Sequence, residues 1–300
     1  VYGEQTIEEV QVRGIKTQTT MMERGTVEAS QTMPDATGGS IESLLITFTG
    51  VSQTNELSSQ YNVRGGSFDE NAVYVNGIEV RRPLLIRSGQ QEGLSFVNPS
   101  MVETVDFSAG GFGVPYGDKM SSVLSIQYKR PKALEASVSL SILGANAYIG
   151  WGDSVRSQMH GIRYKTSKYM LGALPTKGNY QPNFVDYQTQ MTWQIGPSSK
   201  PAAQRPWQLT FLGNFSLNSY TFQPDSMSEG FGGMYNAMTK TIWYEGQEKD
   251  RFLSAFAALG FSYNHNNQTH TLYASGFYTN ERENYDIYGE YVLSEQGGSM

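Results

Sequence analysis

The sequence predicts a mainly β protein in two parts, a compact α/β domain followed by the opening strands of a large antiparallel transmembrane β-barrel. Three observations carry this. Up to Pro131 the chain mixes short strands, one short helix and glycine turns. Beyond Pro131 it turns to long segments in which apolar and polar residues alternate with period two, which puts one set on each face of a strand. The connections between those segments alternate between short and long, as the turns and loops of outer-membrane barrels do.

In the first part, Glu8-Glu9-Val10-Gln11-Val12 alternates as a short strand, and a polar stretch follows to Asp35. The segment from Gly39 to Leu45 reads as a capped short helix with Ser40 as the N-cap. Tyr61-Asn62-Val63-Arg64 and Ala72-Val73-Tyr74-Val75 read as strands, and Asn76-Gly77 is a tight-turn signal. Residues 102–108 and 122–128 supply two more strands, separated by Gly110-Gly111-Phe112-Gly113 and Tyr116-Gly117-Asp118.

In the second part, Leu134, Ala136, Val138, Leu140 and Ile142 alternate with Glu135 and serines. Val185, Tyr187, Met191, Trp193 and Ile195 alternate with Asp186, Gln188, Gln190, Thr192 and Gln194. Trp207, Leu209, Phe211, Phe215 and Leu217 alternate with Gln208, Thr210, Asn214, Ser216 and Asn218. A soluble sandwich would show the same alternation. Several runs, however, reach the ~10 residues of a tilted transmembrane strand rather than the ~5–6 of soluble sheets. Short connections are expected near residues 152–156, 196–205 and 264–268, and longer ones near 172–184 and 224–250. This gives about seven strands, too few to close around a domain of this size, so most of the barrel is expected beyond Met300.

Composition narrows the function. The 22 basic and 28 acidic residues give net charge −6 without the clustered Lys and Arg of a nucleic-acid binder. There is no cysteine for a disulfide scaffold or a thiolate metal site. No segment approaches the ~18 apolar residues of a membrane helix. No signal-peptide pattern is visible in residues 1–12, so an exported chain is expected to be processed or trimmed. His160, His265 and His270 are isolated, the acidic residues lack calcium-loop spacing, and Gly110-Gly111-Phe112-Gly113 lacks the Lys-Ser/Thr of a phosphate loop. Neither an enzyme nor a bound cofactor or metal is expected.

Five segments in order resemble the plug domain of TonB-dependent outer-membrane receptors. Ile41-Glu42-Ser43-Leu44-Leu45 before Thr49-Gly50-Val51 is similar to the family's short helix leading to Pro-Gly-Val. Tyr61-Asn62-Val63-Arg64-Gly65-Gly66 resembles its Ile-Arg-Gly strand, and Val73-Tyr74-Val75-Asn76-Gly77-Ile78 its Leu-Val-Asp-Gly hairpin. The segment from Met101 to Phe107 resembles its Glu-Val strand, and Tyr116-Gly117-Asp118 with Ser121 to Ile126 its closing strand. Thr49, Asn76 and Ala109-Gly110 depart from the family pattern and weaken any transfer of ligand contacts.

The resemblance implies a plug inside a barrel of about 22 strands, of which about the first seven are present. It implies three segments: residues 1–15 with a TonB box, the plug over 16–131, and barrel strands over 132–300. It further implies gated import of a scarce extracellular nutrient across the bacterial outer membrane. The partners would be TonB, outer-membrane lipid and an unidentified ligand, with room for an outer-membrane lipoprotein or complex partner. The rival reading is a structural plugged-barrel subunit of an assembly or secretion complex.

Glu8, Glu9, Val10, Gln11 and Val12 form the best TonB-box candidate, because an extended strand with free edge groups suits β-augmentation. The same residues also suit a first plug strand. Arg64, followed by two glycines, lies by resemblance near the plug apex, where it would bind a ligand carboxylate or a barrel acid. Arg81, Arg82 and Arg87, with Gln90 and Gln91, occupy the expected apical loop and suit either an anionic ligand or anchoring to the wall. Phe231, Met234, Tyr235, Trp243 and Tyr244 fit a ligand roof or an interfacial girdle.

Overall fold

The computed structural model describes residues 23–26, 41–53, 60–81, 95–166, 178–199, 201–233, 236–265 and 268–295. The N-terminal domain contains β1 (Glu23–Thr26), α1 (Ile41–Leu45), β2 (Val51–Gln53), β3 (Tyr61–Val63), β4 (Asn71–Val75), β5 (Ile78–Glu79), β6 (Val102–Ser108) and β7 (Ser122–Tyr128). Its main sheet has the order β1-β6-β7-β4-β5, while β2 and β3 pair separately. β7 is central, and its Val123, Leu124 and Ile126 are fully buried. A strand covered on both faces reads as a continuous apolar run, which is why this one lacks the alternation seen downstream. β4 lies parallel to β7, so both end on the same side. Phe107 of β6 anchors the core, stacking on Phe48 at 5.5 Å and meeting Tyr61 edge-on.

Asn76 and Gly77 adopt φ of 52° and 79°, the pair of positive angles a two-residue hairpin turn requires. The Asn76 side chain accepts from the Tyr128 backbone N–H at 2.9 Å, tying the turn to the end of β7. The strand expected to include Arg64 stops at Val63, because Arg64 itself turns into the left-handed region at φ 50°.

After Pro131 come β8 (Glu135–Ser141), β9 (Gly144–Gly152), β10 (Arg156–Thr166), β11 (Gly178–Ile195), β12 (Trp207–Pro224), β13 (Met227–Gly233), β14 (Asn236–His265) and β15 (Gln268–Glu295). All pair antiparallel in one sheet. β12 and β13 lie along the same side of β14, against Glu248–Tyr263 and Asn236–Ile242, so they are two parts of one rising strand broken at Asp225-Ser226. Opposite the break, Gly246 has φ 93°, and a Cβ there would lie 1.8 Å from the Asp286 carbonyl oxygen. Counted this way the wall has seven strands, each antiparallel to the next.

The two faces of the wall are inverted relative to a water-soluble body. Asp186, Gln188, Gln190, Asn214, Ser216 and Ser254 are buried on the concave side, against the N-terminal domain. Val185, Tyr187, Phe215, Leu259 and Phe261 are exposed on the other. At the short-turn ends, Trp207 packs on Phe261 at 4.9 Å and on Tyr263 at 4.1 Å, the composition of an interfacial aromatic girdle.

Two expected loops are shorter than their composition suggests. Most of 224–250 is strand, because the edge of β14 pairs with β15 from Met238 to His265 and leaves little chain unpaired. β11 starts at Gly178, ahead of Phe184, and carries Pro182 within the strand, opposite Tyr220 of β12. The short connection 196–205 holds a 3-10 turn, Ala202–Gln204.

Candidate functional site: the plug–wall interface

The segment Ser95–Met101 joins the two parts of the molecule. It runs close along the inner face of β9, β10 and β11, and a Cβ on Gly161 would lie 2.5 Å from Asn98 Nδ2. Asn98 shapes the segment from within by accepting from the Ser100 N–H at 3.1 Å, the N-cap of the turn Pro99–Met101.

Arg163 of β10 is the centre of the contact. It is 7% exposed and lies directly across from Asp186 of β11. Its Nε and Nη2 donate to Asp186 Oδ1 and Oδ2, both at 2.7 Å, forming a two-pronged ion pair. The remaining donors turn to the domain: Nη1 donates to the Val97 carbonyl at 2.7 Å and Nη2 to the Ser95 carbonyl at 2.9 Å. A buried guanidinium is tolerated only when paired and hydrogen-bonded, and this fork satisfies both needs at once.

Three strands of the wall extend the contact. Gln188 of β11 donates to the Phe96 carbonyl and accepts from the Tyr128 hydroxyl, the latter at 2.9 Å. Burial pushes the Tyr128 phenol well above its ordinary range, so the hydroxyl keeps the proton it donates. Phe96 meets Phe256 of β14 edge-on at 5.4 Å, and Asn146 of β9 donates to Ser100 Oγ at 2.7 Å. On the opposite flank, the Tyr273 hydroxyl of β15 reaches the Asn76 carbonyl at 3.4 Å. The domain is therefore held to the wall by inward-facing residues, a buried polar network at its centre and apolar contacts such as Phe184, Leu212 and Phe256 around it.

The sequence candidates fall differently. Glu8, Glu9, Val10, Gln11 and Val12 lie outside the described residues, as do Ser40, Arg82, Arg87, Gln90, Gln91, Met234 and Tyr235. Arg64 is exposed, its side chain lying along Gly50 and Gly110 of its own domain. Arg81 is exposed and its Nε lies 4.0 Å from Glu79 Oε2. Neither forms an ion pair with a wall acid among the described residues. The C-terminal end of β7 leads to Pro131, which packs against Gly150 and Gly152 at the short-turn side of the wall. The opposite end of β4 and β7, where Arg64 and the residues after β5 return, points toward the long-hairpin side. Of the loop aromatics, Phe231 and Trp243 belong to strands and are half exposed.

Arg163, Asp186 and Gln188 went unrecognised in sequence as contact residues, although Asp186 and Gln188 sit on the polar face of an alternating run. The available signal was Arg163 itself, an arginine between Ile162 and Tyr164 at an inward position.

Residues 24–123 match the family model described as "TonB-dependent Receptor Plug Domain". No curated protein matches the sequence. Among solved structures, the chain is similar to the siderophore receptor PirA from Acinetobacter baumannii, with TM-score 0.49 and 13% identity over 87% of this chain and 44% of that one. It is also similar to a mutant of the ferric enterobactin receptor PfeA from Pseudomonas aeruginosa, with TM-score 0.46 and 15% identity over 87% and 49%. A third is the outer membrane transporter YddB from Escherichia coli, with TM-score 0.46 and 11% identity over 91% and 54%. The chain spans about half the length of these structures. Residues 24–123 are thus a plug domain of the TonB-dependent receptor type, set against an antiparallel wall whose outward face is an apolar belt.

Proposed function

We propose that this chain is the plug and first wall strands of a TonB-dependent importer that brings a scarce extracellular nutrient across the outer membrane. The observation that carries the proposal is the docking of Ser95–Val97 on the buried Arg163–Asp186 pair, which holds a folded domain on the polar side of a membrane-facing sheet. A plug fixed there blocks the lumen at rest, so passage requires that part of it move. β1 suits that motion, because it is an edge strand held to β6 by only four residue pairs. Residues 8–12 lie upstream of it and would be taken by TonB through strand addition. Ligand occupancy would shift the plug toward the state that releases them. The exposed Arg64 and Arg81 on the long-hairpin side favour an anionic nutrient.

The test uses the full-length receptor in a strain whose growth depends on it. Deleting residues 6–12 is expected to abolish that growth and capture of the purified TonB periplasmic domain, while receptor abundance in the membrane stays normal. Unchanged growth with lost capture would instead assign the chain to a structural subunit.

A further inference from the structure

The outward face of the wall changes character abruptly above the apolar belt. On β14 the outward residues run Leu259, Ala257, Ala255 and Leu253, then Arg251 and Lys249. On β15 they run Ala274, Gly276 and Tyr278, then Asn280 and Arg282. The register sets Arg251 directly opposite Arg282. Both are exposed, and among the described residues neither forms a salt bridge. Glu281 and Glu283, either side of Arg282, alternate to the concave face, where they pair with the buried Phe252 and Asp250. Asn280 and Asn284 hold the diagonal positions on β15, and Ser219 of β12 continues the row. Like charges directly opposed across antiparallel strands destabilise the pairing. Among the described strands no carboxylate stands beside the pair on its own face, and its place at the edge of the belt is the depth of lipid headgroups.

We propose that Arg251 and Arg282, with Lys249 behind them, form a clamp for the phosphate of an anionic lipid in the outer leaflet. Two guanidinium forks facing one phosphate offer charge-assisted bonds that a lysine or a single arginine does not reproduce. The fatty chains of the same lipid would lie along Leu253, Ala255 and Tyr278. The inference rests on the outer-membrane orientation and not on transport, so TonB capture serves as an independent control.

Native mass spectrometry of the detergent-solubilised full-length protein tests it, titrated with phosphatidylglycerol, phosphatidylcholine or inorganic phosphate. The parent is expected to retain phosphatidylglycerol, and the Arg251→Gln/Arg282→Gln double variant to retain about tenfold less. Phosphatidylcholine should not distinguish them, and inorganic phosphate should not displace the lipid. In neutral detergent the double variant should melt no lower than the parent, because the repulsion is gone, yet gain less from added phosphatidylglycerol. If the double variant does not fold, Arg251→Lys replaces it, with the same ordering expected. Equal retention of phosphatidylglycerol overturns the proposal. So does displacement by inorganic phosphate, which marks a free-anion site, or a lower melting point in neutral detergent, which marks a protein carboxylate as the partner.

Discussion

At the scale of the residue, Arg163 shows why a charge is retained inside a plugged wall. Its bidentate pair with Asp186 offsets desolvation, and the leftover donors fix the plug backbone at Ser95 and Val97. Removing one partner of such a pair strands the other in a dry site, typically at a cost of about 3–5 kcal/mol. Arg163→Met is therefore expected to raise hydrogen exchange at Val97 and Asn98 by at least a hundredfold in the full-length protein, while exchange in β12 stays unchanged. Unaltered exchange would remove the pair from the docking role. Arg163→Met/Asp186→Leu should recover part of the loss, because no orphan charge remains. Gly77 makes a second residue-scale case. Its φ of 79° disfavours any side chain, and a Cβ there would stand 2.8 Å from the Tyr273 hydroxyl. Gly77→Ala should lower stability by about 1–3 kcal/mol. In the Tyr273→Phe background the loss should shrink but persist, as read from thermal melting. If Tyr273→Phe restored full stability, the backbone angle would be irrelevant.

Elements add what single residues do not carry. The turn between β9 and β10 is held by Asp153, whose carboxylate accepts from the Arg156 N–H at 2.9 Å and the Val155 N–H at 2.6 Å. These bonds, that from Arg156 foremost, hold its carboxyl below the usual range. A depressed folded-state value means the stabilisation is present above the unfolded carboxyl's pKa of about 4 and fades as pH falls through the lower folded value. Between neutral and strongly acidic pH, Asp153→Asn should flatten the fall in melting temperature relative to the parent. An identical pH profile would contradict this. The wall strands make a sharper prediction, because their faces differ in solvent. Leu259 points outward in the belt, one outward position from Phe261 of the girdle, and is half exposed in the chain, so Leu259→Arg should cost about 1–2 kcal/mol of insertion stability in lipid. Leu259→Phe should be nearly neutral, as measured by folding into vesicles; equal stability of the arginine variant would place this face in water.

The same contrast explains what could be read in advance. Strands such as 185–195 and 207–217 announced themselves because lipid and lumen impose opposite demands on neighbouring residues, and period two records that demand. The plug strands Val102–Ser108 and Ser122–Tyr128 are separated by a glycine-rich segment, and the limits expected from sequence match the observed ones. The hairpin over 224–250 was hidden because Gly230, Gly232, Gly233 and Gly246 imitate loop composition, while the pairing that makes it a strand comes from residues 285–295, far along the chain. The interface was hidden for a related reason. Arg163, Gln188 and Phe96 are distant in sequence, and nothing local to any one of them states that a carbonyl of the plug will stand opposite.

For the whole molecule, one arrangement carries the rest: a plug seated on the polar, concave side of a membrane-embedded wall. These 300 residues contain no cysteine, so an introduced pair is read against the full-length parent treated in the same way. Asn98 of the plug abuts the inward Gly161, whereas the next residue, Ile162, points to the belt. In intact outer membranes, oxidation of the full-length Asn98→Cys/Gly161→Cys variant is expected to yield an internal disulfide in most molecules. Asn98→Cys/Ile162→Cys should yield almost none, and its second thiol should react only with a lipid-soluble maleimide. A cross-link through position 162, or water-borne labelling there, would contradict the seating of the plug inside the wall.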